Sequence, residues 1–254
     1  MKRIVVKVGS AVLTQDGTIA LERMQSLVDF LAKLKETNEV VLVSSGAVAG
    51  GYTQIQLDRT LIANKQALAA IGQPVLMEKY TKKFAKYNLI VAQVLVTAAN
   101  FKKSDEITRV KNTVEILLQN NVIPIVNEND ATATDELELG DNDQLSAYIA
   151  KNIDANMLII LSDIDAYYDA DPRADANAQA LKVVTQVGQE ELQKEVTPNN
   201  IFATGGIVTK LKAASYLLDS KIDMFLASGF DLSDVKSFTL EHIHKGGTLF
   251  TKAK

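Results

Sequence analysis

Short apolar runs alternate with longer amphipathic stretches along this chain. The runs are IVVKV (4–8), VVLVS (40–44), LIVAQVLV (89–96), VIPIV (122–126), MLIIL (157–161) and DMFLAS (223–228). They are rich in Val, Ile and Leu and bounded by turn residues, the pattern of strands covered on both faces in a parallel sheet. Helix-length segments at 21–36, 60–70, 74–87, 108–120, 143–153 and 206–220 lie between them. In the last, Leu211, Ala214, Leu217 and Leu218 share one face, with Lys210 and Lys212 beside it. Strands and helices in alternation predict βαβ crossovers and a three-layer α/β/α sandwich around a mainly parallel central sheet. Ligands in such sheets bind beyond the carboxyl ends of the strands, so the residues just after each run are the ones to inspect.

No Pro/Gly/Ser-rich linker divides the 254 residues, and a single domain over 1–254 is expected. Two stretches fall outside the alternation. Residues 128–140 are acidic and fit a small hairpin. Residues 166–203 carry the turn cues Asp171-Pro172, Thr197-Pro198 and Asn199-Asn200 and are expected to be irregular.

The charge balance narrows the partners. A net charge of −4 and a pI near 5.3 argue against nucleic acid or an anionic membrane. The basic start MKRIVVKVGS is interrupted at Lys7, too early for a signal peptide, and no apolar run approaches the roughly twenty residues of a membrane helix. The absence of Cys removes disulfide and thiolate chemistry and suits a cytoplasmic protein. His242 and His244 are the only histidines, so neither a histidine base nor a His/Cys zinc site is expected.

The acidity is concentrated. From Asn127 to Asp143, NENDATATDELELGDND holds seven carboxylates in seventeen residues, and no Lys or Arg occurs from Asn112 to Ala150. Bound cations, a cationic ligand or lysines from elsewhere must neutralise it. Its spacing is not that of an EF-hand. Glu136 and Glu138 alternate with Leu137 and Leu139 as on a half-exposed strand. Asp141 fits a helix N-cap, and Gln144 could close a capping box. Asp130, Asn142 and Asp143 sit at a strand end and a helix start and need another explanation.

Basic and glycine-rich candidates lie far away in sequence. Lys7 stands inside the first strand, where an ammonium is costly unless an anion meets it; the alternative is an edge lysine reaching water. Ser44-Ser45-Gly46-Ala47 ends the second strand, either as a plain turn or as a turn whose N–H groups bind an anion. Thr204-Gly205-Gly206-Ile207-Val208-Thr209-Lys210 opens the last helix with Thr204 as N-cap, suiting a phosphate site, although it does not match the P-loop pattern. Ser162-Asp163 follows MLIIL at another strand end, before IDAYYDADPR.

Taken together, VKVGSAVLT (6–14), SSGAVAGG (44–51), KQALAAIGQ (65–73), VNENDATAT (126–134), GDNDQLSA (140–147), LSDIDAYYDADPR (161–173), TGGIVTKLKAA (204–214) and GGTLF (246–250) resemble the glutamate 5-kinases of the amino acid kinase fold. The resemblance runs from Val5 to about Phe250. It implies transfer of the γ-phosphoryl group of ATP, with Mg²⁺, to the side-chain carboxylate of L-glutamate, the first step of proline biosynthesis. It implies that Lys7 and Lys210 contact the transferring group and that Asp143 organises them. Ser45, Gly46, Asp130 and Asn142 would hold glutamate. Lys7, Ser162, Asp163 and the loop Thr204, Gly205, Gly206, Ile207, Val208, Thr209, Lys210 would hold the nucleotide. It also implies a homodimer or tetramer and feedback inhibition by proline. The PUA domain that many members carry has no counterpart in these residues. A kinase for carbamate, aspartate or N-acetylglutamate, or a non-catalytic amino-acid sensor, are the competing readings.

Overall fold

The computed structural model describes residues 1–132, 142–172, 174–175, 177–193 and 206–252. The elements follow in chain order as β1 (Lys2–Val8), α1 (Ser10–Leu13), β2 (Thr14–Gln15), β3 (Thr18–Ile19), α2 (Leu21–Lys35), β4 (Asn38–Val43), α3 (Ala47–Tyr52) and α4 (Ile62–Ala85). Next come β5 (Val91–Val96), α5 (Ser104–Gln119), β6 (Ile123–Glu128), α6 (Asn142–Asn152), β7 (Met157–Ser162), β8 (Val183–Val184) and α7 (Gln189–Leu192). The chain closes with α8 (Ile207–Asp219), β9 (Asp223–Ser228), α9 (Ser233–Leu240) and β10 (Thr248–Phe250).

Successive side chains of a strand point to opposite faces, and here each face has its own apolar layer. Val5, Val41, Leu158 and Met224 pack with Val114 and Leu118 of α5, Leu145 and Ile149 of α6, and Leu211 and Leu217 of α8. Ile4, Val6, Val40, Ile159 and Phe225 pack with Leu27 and Leu31 of α2, Leu76 and Tyr80 of α4, and Val235 of α9. This is the expected three-layer sandwich. Among the described residues the sheet has eight strands in the order β5-β6-β4-β1-β7-β9-β10-β8. The six long strands are parallel, and β10 runs antiparallel to β9. β1 lies at the centre, with Lys7 opposite Val43 on one side and Ile160 on the other.

One turn recurs where four of the helices feed back into the sheet. After α4, α5, α6 and α8 a residue takes left-handed backbone: Asn88, Asn121, Asp154 and Lys221. The next amide then reaches back to a carbonyl in the last helical turn, as in Leu89 N to Phe84 O, Val122 N to Leu117 O, Ala155 N to Ala150 O and Ile222 N to Leu217 O. These are Schellman endings.

The structure corrects several expected boundaries. The segments 60–70 and 74–87 are one helix, α4, which runs through Pro74. Proline normally breaks a helix, but the crossing with α3 and the burial of its own Leu76, Tyr80 and Phe84 hold this one together. The helix expected at 108 begins at Ser104, because Ser104, Asp105 and Glu106 form a polar first turn that apolar periodicity does not mark. Residues 166–203 are not wholly irregular, since β8 and α7 lie there and Tyr168 bridges Ala180. The hairpin expected over 128–140 falls mostly outside the described residues, as do Glu136, Glu138 and Asp141.

Two glycines set the depth of α3 against α4. A Cβ on Gly51 would sit 2.0 Å from Leu68 O, and one on Gly72 would sit 1.8 Å from Ala47 O. Both clashes are with backbone, so neither helix can yield by turning a side chain. Gly51→Ala is expected to destabilise the protein by about 3 kcal/mol, at the upper end of overpacking costs. Gly188→Ala serves as control, because its Cβ would meet only the flexible Glu191 side chain, at 3.4 Å. Chemical denaturation of both variants checks this, and equal stabilities would remove the proposed role of the close crossing.

Candidate active site

Asp143 is the centre of the site. It lies in the first turn of α6 and has 0 % of its surface exposed. Its Oδ1 is 2.5 Å from Lys7 Nζ, and its Oδ2 is 3.1 Å from Lys210 Nζ. Thr209 Oγ1 donates to the same Oδ2 at 2.9 Å. Lys7 is 4 % exposed and Lys210 3 %. The lysine in the first strand therefore meets an anion, and that anion comes from the acidic block. Burial pushes the Asp143 carboxyl up, but the Lys7 and Lys210 charges outweigh it and hold the carboxyl below the ordinary carboxylate range.

The fold brings these groups together because three elements end at one place. β1 delivers Lys7 at its carboxyl end, and Gly9 follows with its N–H bonded to Leu161 O at 3.0 Å. A Cβ on Gly9 would stand 3.7 Å from Lys7 Nζ. The amino end of α8 supplies Thr209 and Lys210, after Gly206 at the N-cap position and Ile207 and Val208 in the first turn. Gln144 Nε2 donates to Thr209 O at 3.2 Å and ties α6 to α8; the capping box expected with Asp141 falls outside the described residues. Thr204 and Gly205 lie outside the described residues.

A second set of polar groups continues from Asn142, one residue before Asp143. Asn142 Nδ2 donates to Ser44 O at 3.0 Å, Ser45 Oγ at 2.7 Å and Asn127 Oδ1 at 3.2 Å. Asn127 Nδ2 donates to Gln73 Oε1 at 2.9 Å, and Gln73 Nε2 donates to Gln93 Oε1 at 3.0 Å. The Ser44 hydroxyl shares a hydrogen bond with the Tyr80 hydroxyl at 2.8 Å. Gly46, with φ 105°, makes the left-handed turn that starts α3; a side chain there would be strained.

Beside this network lies a cavity of about 180 Å³. Ala47, Ala69 and Pro74 form an apolar wall, and Glu128 and Asp130 an acidic one. Burial pushes the Asp130 carboxyl up, and burial with the neighbouring Asp130 charge pushes Glu128 up. A cation placed between them would relieve both. Ser162 and Asp163 stand at the end of β7, next to β1, where the Ser162 hydroxyl donates to Asp163 Oδ1 at 2.8 Å. Among the described contacts these two bond to each other, not to the lysines. Reading the sequence missed Asn127, Gln73 and Glu128. All three lie inside motifs that carry the resemblance, but nothing in the spacing signals that the Asn127 and Gln73 amides meet.

Comparison with known proteins gives the family. The model of the amino acid kinase family matches residues 2–228. The glutamate 5-kinase of Wolinella succinogenes is 51 % identical, over 99 % of this chain and 98 % of that protein. The glutamate 5-kinase of Leishmania donovani is 49 % identical, over 98 % of this chain and 95 % of that protein. In structure, carbamate kinase from Giardia lamblia bound to AMP-PNP superimposes with a TM-score of 0.68 at 15 % identity, covering 99 % of both chains; that likeness speaks to the fold alone. The chain belongs to the amino acid kinase family, among its glutamate 5-kinases.

Proposed function

We propose that the protein transfers the γ-phosphoryl group of ATP to the side-chain carboxylate of L-glutamate, giving L-glutamyl 5-phosphate, and that residues 1–254 act as one kinase domain. Two buried lysines bridged by Asp143 at the carboxyl edge of β1 carry this reading. The nucleophile is a carboxylate with an ordinary pKa of about 4.3, ionised near neutral pH. One of its oxygens forms the new bond to the γ phosphorus, and the bond to the bridging oxygen breaks to release ADP. No proton has to be removed, which suits a site without a histidine.

The difficulty is bringing an anion up to a polyanion, and phosphoryl transfer is mainly positioning and charge stabilisation. Lys7 and Lys210 hold the transferring phosphoryl oxygens. Asp143 fixes the direction of both ammonium groups, and Thr209 anchors the amino end of α8, whose N–H groups face the phosphates. Gly206, Ile207 and Val208 belong to that end, with Ser162 and Asp163 beside it on β7. No cluster of three metal-binding side chains exists among the described residues, and Asp143 is occupied by the lysines. Mg²⁺ therefore enters as part of the MgATP substrate, bound mainly by phosphate oxygens and water.

The acidic cavity accounts for the acceptor. Glu128 and Asp130 suit the substrate ammonium, while Ser45, Gly46 and Asn142 position the rest of the molecule. Carbamate and N-acetylglutamate lack that ammonium. An ATP-dependent assay with hydroxylamine to trap the acyl phosphate tests this across glutamate, aspartate, N-acetylglutamate and carbamate. Glutamate is expected to give the hydroxamate; turnover of another acceptor in its place would overturn the assignment. A homodimer or tetramer, a cytoplasmic setting and inhibition by proline at the glutamate pocket belong to the same reading. Among the described residues no helix is long and apolar enough to cross a membrane.

A further inference from the structure

We propose that Gln73 is a positioning residue that holds Asn127, and through it the Asn142 carboxamide, in place, and thereby sets the affinity for the acceptor's ammonium group. The inference rests on glutamate being the acceptor, and it names a device within that site. The chain of amides from Asn142 to Gln73 has a polarity fixed by two backbone groups. Ser44 O can only accept, so the Asn142 atom 3.0 Å from it is the NH₂ group. Glu128 N–H can only donate, so the Asn127 atom 2.9 Å from it is the carbonyl oxygen. The NH₂ of Asn127 then faces α4, and Gln73 meets it with an oxygen at 2.9 Å. Asn127 is 1 % exposed and Gln73 7 %, so water does not replace either partner.

The result bears directly on the substrate. With its NH₂ committed to Ser44 O, Ser45 Oγ and Asn127 Oδ1, Asn142 keeps its oxygen directed away from all three. That oxygen accepts nothing from the described residues, and an acceptor there matches an ammonium. The opposite orientation would present a donor and repel it. Gln73 lines the cavity, yet both ends of its amide are engaged, with Asn127 and with Gln93. Its effect on the ligand therefore passes through Asn127. The adjacent Gly72 crossing fixes how deep Gln73 sits.

Without the Gln73 oxygen, the Asn127 NH₂ is orphaned in a dry site. It cannot turn over, because its NH₂ would then oppose the Glu128 N–H. Asn127 must move, and Asn142 loses one of its three restraints, keeping those from Ser44 O and Ser45 Oγ. Gln73→Met keeps the length and helix propensity of the side chain but accepts no strong hydrogen bond. The KM for glutamate is expected to rise about tenfold or more, the loss associated with one hydrogen bond to a charged group. The turnover number should stay within about threefold and the KM for ATP should be unchanged, by the same reasoning. Gln73→Glu keeps an oxygen towards Asn127, and the exposed Gln93 amide can turn to donate to the other; this variant should return the KM to within about threefold of wild type. Gln73→Leu provides a second non-accepting side chain should the Met variant fail to fold. An unchanged KM in the non-accepting variants, or a Glu variant as impaired as they are, overturns the proposal. Wild-type turnover of glutamate in the same assay reports separately on the reaction itself.

Discussion

Lys210→Met lowers the turnover number by about 10²–10³-fold, the loss expected for one preorganised donor at a developing charge. The melting temperature should stay within a few degrees of wild type. The two outcomes separate because of charge. Lys7, Lys210 and Asp143 sum to +1 among themselves, with all three buried. Both ammonium groups are offered to the phosphoryl group. Removing Lys210 leaves Asp143 with Lys7 at 2.5 Å and Thr209 at 2.9 Å, a neutral pair with a hydrogen bond. Catalysis loses a stabilising charge, while the fold keeps the Asp143 pair with Lys7. Steady-state rates and a thermal melt on the same preparation check this. Near-normal turnover would remove Lys210 from the transfer step.

The legible parts of the molecule were those written in local pattern. Six apolar runs became the six parallel strands, because strands covered on both faces need apolar residues at nearly every position. The antiparallel β10 and the two-residue β8 were missed, since so short a strand has no period. Pro74 gave a false break. Its local rule holds in isolation, but here α3 and α4 meet through Gly51 and Gly72 at backbone distance. No residue-by-residue pattern records a contact of that kind.

The same division runs through the site. Lys7 was conspicuous because an ammonium in an apolar strand requires an anion, and the acidic block was conspicuous because it lacks internal cations. Each half predicted that something must answer it. That they answer each other followed from resemblance and is visible only once β1, α6 and α8 end together. Asn127 and Gln73 carried no such imbalance. Amides are neutral, and their mutual hydrogen bonds depend on the packing of α4 beside β6, which no spacing in the chain encodes.

Asp143→Asn has the larger effect on the fold. The substitution keeps the shape of the side chain but removes the carboxylate to which both ammonium groups point, and the sum of the three groups becomes +2. Breaking a buried ion pair from one side costs about 3–5 kcal/mol. In a protein of this size that is a fall in Tm of roughly 6–20 °C. The turnover number should fall together with it, because neither lysine is then aimed. The pH dependence tests the cause. The folded-state pKa of Asp143 lies below its unfolded value, so its contribution is present above the ordinary carboxylate range. It is lost as the pH falls through the lowered folded pKa. The stability gap between wild type and Asp143→Asn should therefore be full near neutrality and close on acidification below about pH 4. Urea denaturation of both proteins from neutral to acid pH measures it. A gap that stays constant with pH would mean that the carboxylate's charge is not what holds the two lysines in place.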